Sequence, residues 1–413
     1  MRTDDAVAKR RMPVAFLAFL IIMVDGYDTL MVSFIAPVLQ KQWALTPAAI
    51  GRIFAMGYIG AIVGAVGIGP LADRFGRRPL LVLALFVASL STMACAAADS
   101  LANLVWLRLV TGAALGGALP CLMAITAEHA KAERRTGTVT LMYIGYPLGA
   151  VVGGAATASL LHHGWPAIFL STGLLCLVAS IVALLLPESL RRDTERSARA
   201  GSASALFFEQ FADGRLWPAL VLWLGVFSLL LLTYFLLSWT PSLIVDRGGS
   251  PKVAALGGVL LNLGGIAGAL VLAPLVNRFG PYRPIAVVVA AGAVIVSLVG
   301  FDFGSLAPMF VLLFLAGFCI MGGQLNFPAM TVDLFPPHVR GAGAGWTIGV
   351  GRVGSIVGPI LGAMLITAGL AGRSLFLIAA LPALLCAAAL TLAALLRGRA
   401  PVTGPAPVAA PDL

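Results

Sequence analysis

The chain carries a succession of apolar runs, each long enough to cross a lipid bilayer as a helix. A spanning helix needs roughly 20 apolar residues, and such runs follow one another from Pro13 to Leu396 with short polar interruptions. A hydrophobic share of 60% in 413 residues exceeds what a soluble domain encloses. We therefore predict an all-α polytopic membrane protein with twelve transmembrane helices. The predicted spans are 14–36, 49–70, 80–98, 103–127, 138–160, 167–187, 217–240, 254–276, 285–301, 307–330, 342–366 and 374–396.

The net charge of +10 raises the question of a nucleic-acid partner, and the placement of the basic residues answers it. Most of the 27 Lys and Arg residues fall in the termini and in alternate loops, whereas the opposite loops hold only Lys41, Arg247, Lys252 and Arg373. Basic residues concentrate in the cytoplasmic loops of membrane proteins. This pattern predicts that both termini face the cytoplasm, and that the chain contacts the lipid bilayer and no nucleic acid.

The sequence contains no pattern typical of an enzyme active site or of a metal site. The five cysteines lie singly inside apolar runs, with no CxxC spacing and no histidine placed as a ligand. No nucleophile triad or nucleotide-binding loop is present, and the glycine-rich strings lie inside apolar runs. We predict a protein that is not an enzyme and that uses no cofactor, disulfide or metal.

A loop motif occurs twice. The first copy, at residues 69–79, reads GPLADRFGRRP, and the second, at residues 274–284, reads PLVNRFGPYRP. Their offset of about 204 residues is half of the chain, which predicts two similar six-helix bundles at residues 13–187 and 217–397. The remaining segments are predicted as a cytoplasmic N-terminus at 1–12, a cytoplasmic linker at 188–216 and a disordered cytoplasmic tail at 398–413.

These strings carry a family resemblance. GPLADRFGRRP resembles the loop signature of the major facilitator superfamily, and the resemblance extends over residues 12–397. Four further strings resemble the aromatic acid:proton symporters of the 4-hydroxybenzoate and benzoate type. They are Asp25-Gly-Tyr-Asp-Thr29 in the first run and the strings at 108–120, 237–241 and 349–359.

The resemblance implies the major facilitator fold and transport by alternating access. It also implies a monomer in a bacterial inner membrane that takes up a small organic anion, namely an aromatic carboxylate, together with protons. Proton-driven antiport that exports a drug or metabolite is the open alternative. The fifth run lacks the GPxxGG ending of drug antiporters, which argues against export.

Two carboxylates in the first run are candidates for proton coupling. Asp25 and Asp28 lie near the middle of the span, where a charge costs about 2.5 to 3.5 kcal/mol. At positions i and i+3 they share one helix face, and two acids so close in a medium of low dielectric constant do not both ionise freely. The alternative is that either acid only pairs with a buried arginine to hold helices together.

Arg108 in the fourth run is the predicted partner. Counted along their helices, Asp28 and Arg108 lie roughly 21 and 22 Å from the cytoplasmic side, so they are level. Three readings of Arg108 stay open, namely binding of the substrate carboxylate, exchange between substrate and Asp28, and a static counter-ion role.

Further substrate-binding candidates lie mostly in the second half. Arg352 has no acidic residue in its own span, which predicts an anion site because its planar guanidinium matches a carboxylate. A pair with Asp28 or with backbone carbonyls is the alternative for Arg352. Uncharged and aromatic candidates complete the predicted substrate site, and these are Gln324, Asn326, Tyr27, Tyr146 and Trp239.

The repeated loop itself predicts a conformational latch. In the superfamily this loop is thought to hold one state of the carrier by pairing its acid with a helix end and its arginine with an acid of the fourth helix. The resemblance places these roles on Asp73, Arg77 and Glu128. The second copy has Asn277 and Pro281 instead, so only one latch is predicted to be intact. Phosphate binding by the basic string is the alternative.

Overall fold

The computed structural model describes residues 2–130, 135–188, 208–212, 214–336, 339–370 and 372–397, with backbone alone for 2–13, 69, 70, 73, 135, 136, 140 and 397. Within these residues, 12 helices are long and apolar enough to cross a membrane. They are α1 (Arg2–Gln42), α2 (Pro47–Phe75), α3 (Arg77–Cys95), α4 (Leu101–His129), α5 (Arg135–Leu160), α6 (Trp165–Ala183), α7 (Leu216–Asp246), α8 (Pro251–Phe279), α9 (Tyr282–Val299), α10 (Leu306–Leu325), α11 (Arg340–Thr367) and α12 (Gly372–Arg397).

The predicted all-α fold with twelve spans is confirmed. α10 is interrupted after Leu325 and continues as a short helix, Pro328–Leu334. α1 and α7 extend several residues past their predicted ends, because a helix continues into polar sequence until its backbone is capped. The division into two bundles stays a prediction, and most of the predicted linker and all of the predicted tail lie outside the described residues.

The repeat seen in the sequence is also a repeat of local structure. Thr46 and Ser250 cap the starts of α2 and α8, where each hydroxyl accepts a hydrogen bond from a main-chain N–H three residues later, at 3.3 Å in both cases. Gly76 and Gly280 end the same helices with φ values of 103° and 79°, a conformation that favours glycine. Both copies of the loop motif therefore keep their glycine for the same turn.

Within each half, neighbouring helices pack closely at glycine residues, where the main chains come into contact. A Cβ atom at Gly149 of α5 would overlap the main-chain carbonyl of Met23 in α1, and one at Gly112 of α4 would overlap the carbonyl of Gly57 in α2. The second half uses the equivalent pairs, α7 with α11 and α8 with α10. Such close approach, made possible by the missing side chain, is how helices associate in lipid.

The two halves meet through a pseudo-symmetric pair of contacts, α2 with α11 and α5 with α8. In the repeat, α2 corresponds to α8 and α5 corresponds to α11. Exchanging the two halves therefore converts one of these contacts into the other. This arrangement is that of parallel repeats about an axis along the membrane normal.

Contacts between the halves concentrate at the end of the molecule away from both termini, which we call the distal end. There, the rings of Phe54 and Trp239 meet edge to face at 5.9 Å. Gly51 lies against Ala363, so an added Cβ would stand 2.7 Å from its side chain. A Cβ at Gly154 would stand 2.6 Å from Val259. The distal end is closed by direct packing.

Toward the termini, glycines of the same two helices lack such contacts. α2 and α11 run in opposite directions, so Gly67 of α2 is level with the part of α11 that holds Gly345 and Gly349. No described atom lies within 4 Å of a Cβ built at any of these three glycines. The described contacts between the halves therefore lie at the distal end.

We predict that Gly149→Ala destabilises the protein, because the added methyl group would push α5 away from the Met23 carbonyl of α1. The expected cost is about 1 to 3 kcal/mol, typical of overpacking, and it is measured as a lower melting temperature and a lower yield in detergent. Gly137→Ala, in the same helix but with open space around its Cβ, is the matched control. Equal melting temperatures for both variants would contradict the packing account.

Candidate functional site

A buried ion pair joins α1 to α4. Arg108 Nη1 lies 3.2 Å from Asp28 Oδ2, and the two residues are 4% and 1% exposed. The predicted pairing of these residues is confirmed. Removing one partner of a buried pair leaves the other charge uncompensated and costs about 3 to 5 kcal/mol, so the two side chains depend on each other.

Hydroxyl groups surround the ion pair. Thr92 of α3 donates to Asp28 Oδ1 at 2.7 Å and accepts from Arg108 Nη2 at 3.1 Å. Thr111 accepts from the same Nη2 at 3.1 Å and shares a hydrogen bond of 2.8 Å with Ser91. The guanidinium also lies over the ring of Phe169, 5.2 Å from its centroid. The pair is thus held by three helices of the first half.

Asp25 lies one helical turn before Asp28 and is more accessible. It is half-buried and accepts a long hydrogen bond of 3.4 Å from the Thr29 hydroxyl. It lines a small cavity together with apolar residues of α3 and α4. Its strongest charged neighbour is Arg352, which belongs to the other half of the molecule.

Arg352 lies near the middle of α11 and is half-buried. Gly345 and Gly349 precede it by two turns and one turn on the same helix face, and both have free space around them. The described residues offer its guanidinium no hydrogen bond or ion pair; it interacts with Asp25 at longer range. The predicted alternative of a direct pair between Arg352 and Asp28 is not what the structure shows.

Tyrosine residues from both halves surround Arg352. Tyr143 and Tyr146 of α5, Tyr58 of α2 and Tyr234 of α7 all interact electrostatically with its guanidinium. The Tyr58 and Tyr234 rings meet edge to face at 4.7 Å across the boundary between the halves. Tyr146 thus lies where the sequence predicted, and Tyr58 is an additional member that sequence reasoning missed.

Two other aromatic candidates are engaged in packing. Trp239 is 1% exposed, and its indole N–H donates to the Pro359 carbonyl at 3.0 Å, which ties α7 to α11. Tyr27 is 4% exposed and lies against Gly153 of α5. The structure does not place either side chain beside Arg352 and the tyrosines around it.

The polar candidates of α10 differ from each other. Asn326 donates to the carbonyls of Ala269 and Gly322 at 3.3 and 2.9 Å, so its amide joins the end of α10 to α8. The Gln324 side-chain oxygen is buried and lacks a hydrogen-bond partner among the described residues. Gln324 therefore retains a free acceptor, whereas Asn326 is used for structure.

The predicted latch residues lie at the end of the molecule that holds the termini. Arg77, at the start of α3, forms an ion pair with Glu128 near the end of α4, and its main-chain N–H donates to Glu188 at 3.2 Å. These contacts join helices of one half. The Asp73 side chain lies outside the described residues, so its predicted contact with a helix end stays a prediction.

The model of the Major Facilitator Superfamily matches residues 18–301 and 246–412. The gallate transporter of Pseudomonas putida is 35% identical, with 91% of this chain and 90% of that protein covered. The 4-hydroxybenzoate transporter PcaK of Pseudomonas aeruginosa is 34% identical, with 92% and 91% covered.

Solved structures show the same fold at low sequence identity. A D-xylose-proton symporter gives a TM-score of 0.74 with 17% identity, covering 92% of this chain and 97% of that one. A bacterial homolog of the human lysosomal transporter Spinster gives 0.72 with 17% identity, covering 94% and 96%. The family match and the relatives over most of their length show that this multi-pass membrane protein is a transporter, not an enzyme, and that it belongs to the Major Facilitator Superfamily.

Proposed function

We propose that the protein takes up a small aromatic carboxylate together with protons across a bacterial inner membrane. The observation that carries this proposal is the electrostatic interaction between Asp25 and Arg352, which belong to different halves and form no direct ion pair. The printed names of the relatives, which include transporters of gallate and 4-hydroxybenzoate, support an aromatic acid as the substrate.

Arg352 is assigned to the substrate carboxylate. Its guanidinium is unpaired among the described residues, and a planar guanidinium binds a carboxylate through two parallel hydrogen bonds. The tyrosine rings around it supply an apolar yet hydrogen-bonding wall for an aromatic ring. Gln324, with its free buried acceptor, is a further candidate for a substrate hydroxyl.

Asp28 and Asp25 are assigned to proton coupling, with Arg108 as the counter-ion that Asp28 releases when it is protonated. Of the three readings of Arg108, the ion pair supports the exchange and counter-ion roles, because both terminal nitrogens of its guanidinium are bonded to Asp28, Thr92 and Thr111. A proton reaches Asp28 by way of Asp25, which lies one turn closer to accessible space.

Coupling follows from which forms of the carrier reorient. If the form loaded with both proton and substrate and the empty form interconvert between open states, while partly loaded forms do so rarely, the proton gradient drives accumulation. The direct packing of the halves at the distal end fits one end state of such a cycle. We further propose that the termini are cytoplasmic, that the carrier works as a monomer, and that Asp73, Arg77 and Glu128 act as a conformational latch, of which the pair between Arg77 and Glu128 is formed in this state.

We predict that Asp28→Asn abolishes gradient-driven accumulation and retains counterflow. The asparagine keeps the hydrogen-bonding shape of the side chain and removes the group that carries the proton. The measurement is uptake of labelled gallate, 4-hydroxybenzoate and benzoate by proteoliposomes with an acidified exterior, followed by exchange of internal for external substrate without a gradient.

Counterflow doubles as the folding control, since only a folded carrier exchanges substrate. Undiminished accumulation by Asp28→Asn would contradict the proton role. Failure of the wild-type protein to accumulate any of the three acids would contradict the proposed substrate class.

We predict that Arg352→Gln raises the KM of counterflow for 4-hydroxybenzoate about tenfold or more, because hydrogen bonds to charged groups contribute about 1.5 to 3 kcal/mol. Arg352→Lys, which keeps the charge and loses the planar geometry, should have an intermediate effect. The matched control is Arg52→Gln, an exposed arginine of α2 that bonds a carbonyl of its own helix.

Competition by 4-hydroxybenzamide, the uncharged amide of 4-hydroxybenzoate, gives a second readout. The amide should compete poorly with 4-hydroxybenzoate in the wild-type protein, and Arg352→Gln should reduce this discrimination. An unchanged KM in Arg352→Gln would remove Arg352 from the substrate site.

A further inference from the structure

Among the residues that the structure describes, Thr92 is the side chain that bonds both members of the buried ion pair through a single atom. Its Oγ1 lies 2.7 Å from Asp28 Oδ1 and 3.1 Å from Arg108 Nη2, and the residue is 0% exposed. With the Arg108 Nη1 contact to Asp28 Oδ2 at 3.2 Å, these bonds close a ring. The ring contains one carboxylate, one guanidinium and one hydroxyl.

The direction of the Thr92 hydrogen bond is fixed by its neighbour. A guanidinium only donates, so the hydroxyl must accept from Arg108 and direct its own proton elsewhere. The acceptor at 2.7 Å is Asp28 Oδ1. Thr92 therefore donates to the carboxylate, and a hydrogen bond donated to a carboxylate favours its charged form.

We propose that Thr92 is a positioning residue that sets the pH at which Asp28 accepts its proton. This inference rests on the proposed role of Asp28 in proton coupling. In the step concerned, a hydronium ion transfers its proton to a carboxylate oxygen of Asp28 and leaves as water. The neutral acid no longer balances Arg108, whose guanidinium stays bonded to the oxygens of Thr92 and Thr111.

Thr92 thereby has two functions in the cycle. It opposes protonation while the ion pair exists, and it retains Arg108 in place once the pair has lost its charge. The second function keeps the guanidinium available to recapture Asp28 when the proton leaves. A side chain that merely filled space between α1, α3 and α4 would provide neither effect.

Other titratable and charged groups around Asp28 are few. Arg108 of α4 is the cation in direct contact. The Cys95 thiol of α3 and the Cys176 thiol of α6 interact with Asp28 electrostatically, and Asp25 lies on the same helix. Both cysteines are fully buried and bear no charge in their usual thiol form. Thr92 is therefore the polar group whose loss affects Asp28 most directly after Arg108.

The test compares Thr92→Val with Thr92→Ser. Valine has nearly the same shape and lacks the hydroxyl, whereas serine keeps it. In Thr92→Val the pH midpoint of 4-hydroxybenzoate uptake should move to higher pH by about one unit, the shift expected for loss of one hydrogen bond to a charged group. Thr92→Ser should restore the wild-type midpoint. Thr126→Val is the matched control, since Thr126 is equally buried and bonds the Leu122 carbonyl of its own helix.

A second measurement does not depend on transport. Infrared difference spectra against pH report the carbonyl stretch of a protonated carboxyl group, and the band that disappears in Asp28→Asn belongs to Asp28. That band should appear at higher pH in Thr92→Val than in the wild-type protein. An unchanged or lower midpoint in either experiment, with the variant folded by thermal melting, would overturn the inference.

The outcomes separate this inference from the function on which it rests. If the wild-type protein takes up none of the tested acids, the proposed function fails, and the infrared titration still tests Thr92. If uptake occurs and depends on Asp28 while Thr92→Val matches the wild-type protein in both midpoints, only the role of Thr92 fails.

Discussion

A charge buried in a lipid-embedded bundle must be matched by a partner, and the ion pair of Asp28 and Arg108 is where this requirement shapes the protein. The two residues are 1% and 4% exposed, so neither is stabilised by water. Each charge is balanced by the other and by the hydroxyls of Thr92 and Thr111. Desolvated pairs contribute little net stability, which makes a functional reason for keeping the pair the more economical explanation.

The two halves share their architecture and divide the chemistry. The capped starts of α2 and α8, the glycine turns that follow, and the glycine-lined helix pairs occur in both halves. At the repeat positions of Asp25 and Asp28, however, the second half has Leu229 and Leu232, both fully buried. The closest glycine contacts to neighbouring main chain lie inside the halves, whereas Gly51 and Gly154 contact side chains of the other half. The contacts described between the halves lie at the distal end.

Much of this arrangement can be predicted from the sequence because it depends on distances measured along the chain. Twelve spans follow from the length of apolar runs. The equal depth of Asp28 and Arg108 in the membrane follows from the constant rise per residue of a helix. Their contact at 3.2 Å agrees with that estimate. Charges in lipid are costly enough that each one observed in a span indicates a partner.

The remaining features depend on the rotation and lateral packing of helices, which the sequence does not encode so simply. Thr92 lies in an apolar helix where a hydroxyl most often bonds its own backbone, so nothing marked it as a ligand of the ion pair. Trp239 was a candidate for the substrate site, and the structure uses its indole to join α7 to α11. Tyr58 was missed because its partner, Tyr234, is distant along the chain. Contacts between side chains at the boundary between the halves can be identified only once the relative positions of both halves are known.

The central claim is that substrate and proton cross the membrane together in the same direction. The most direct test adds 4-hydroxybenzoate to unbuffered proteoliposomes at zero membrane potential and follows external pH and substrate uptake at once. The account predicts external alkalinisation that accompanies uptake in the wild-type protein and is absent in Asp28→Asn. Acidification of the exterior during uptake, or uptake with no proton movement, would contradict it.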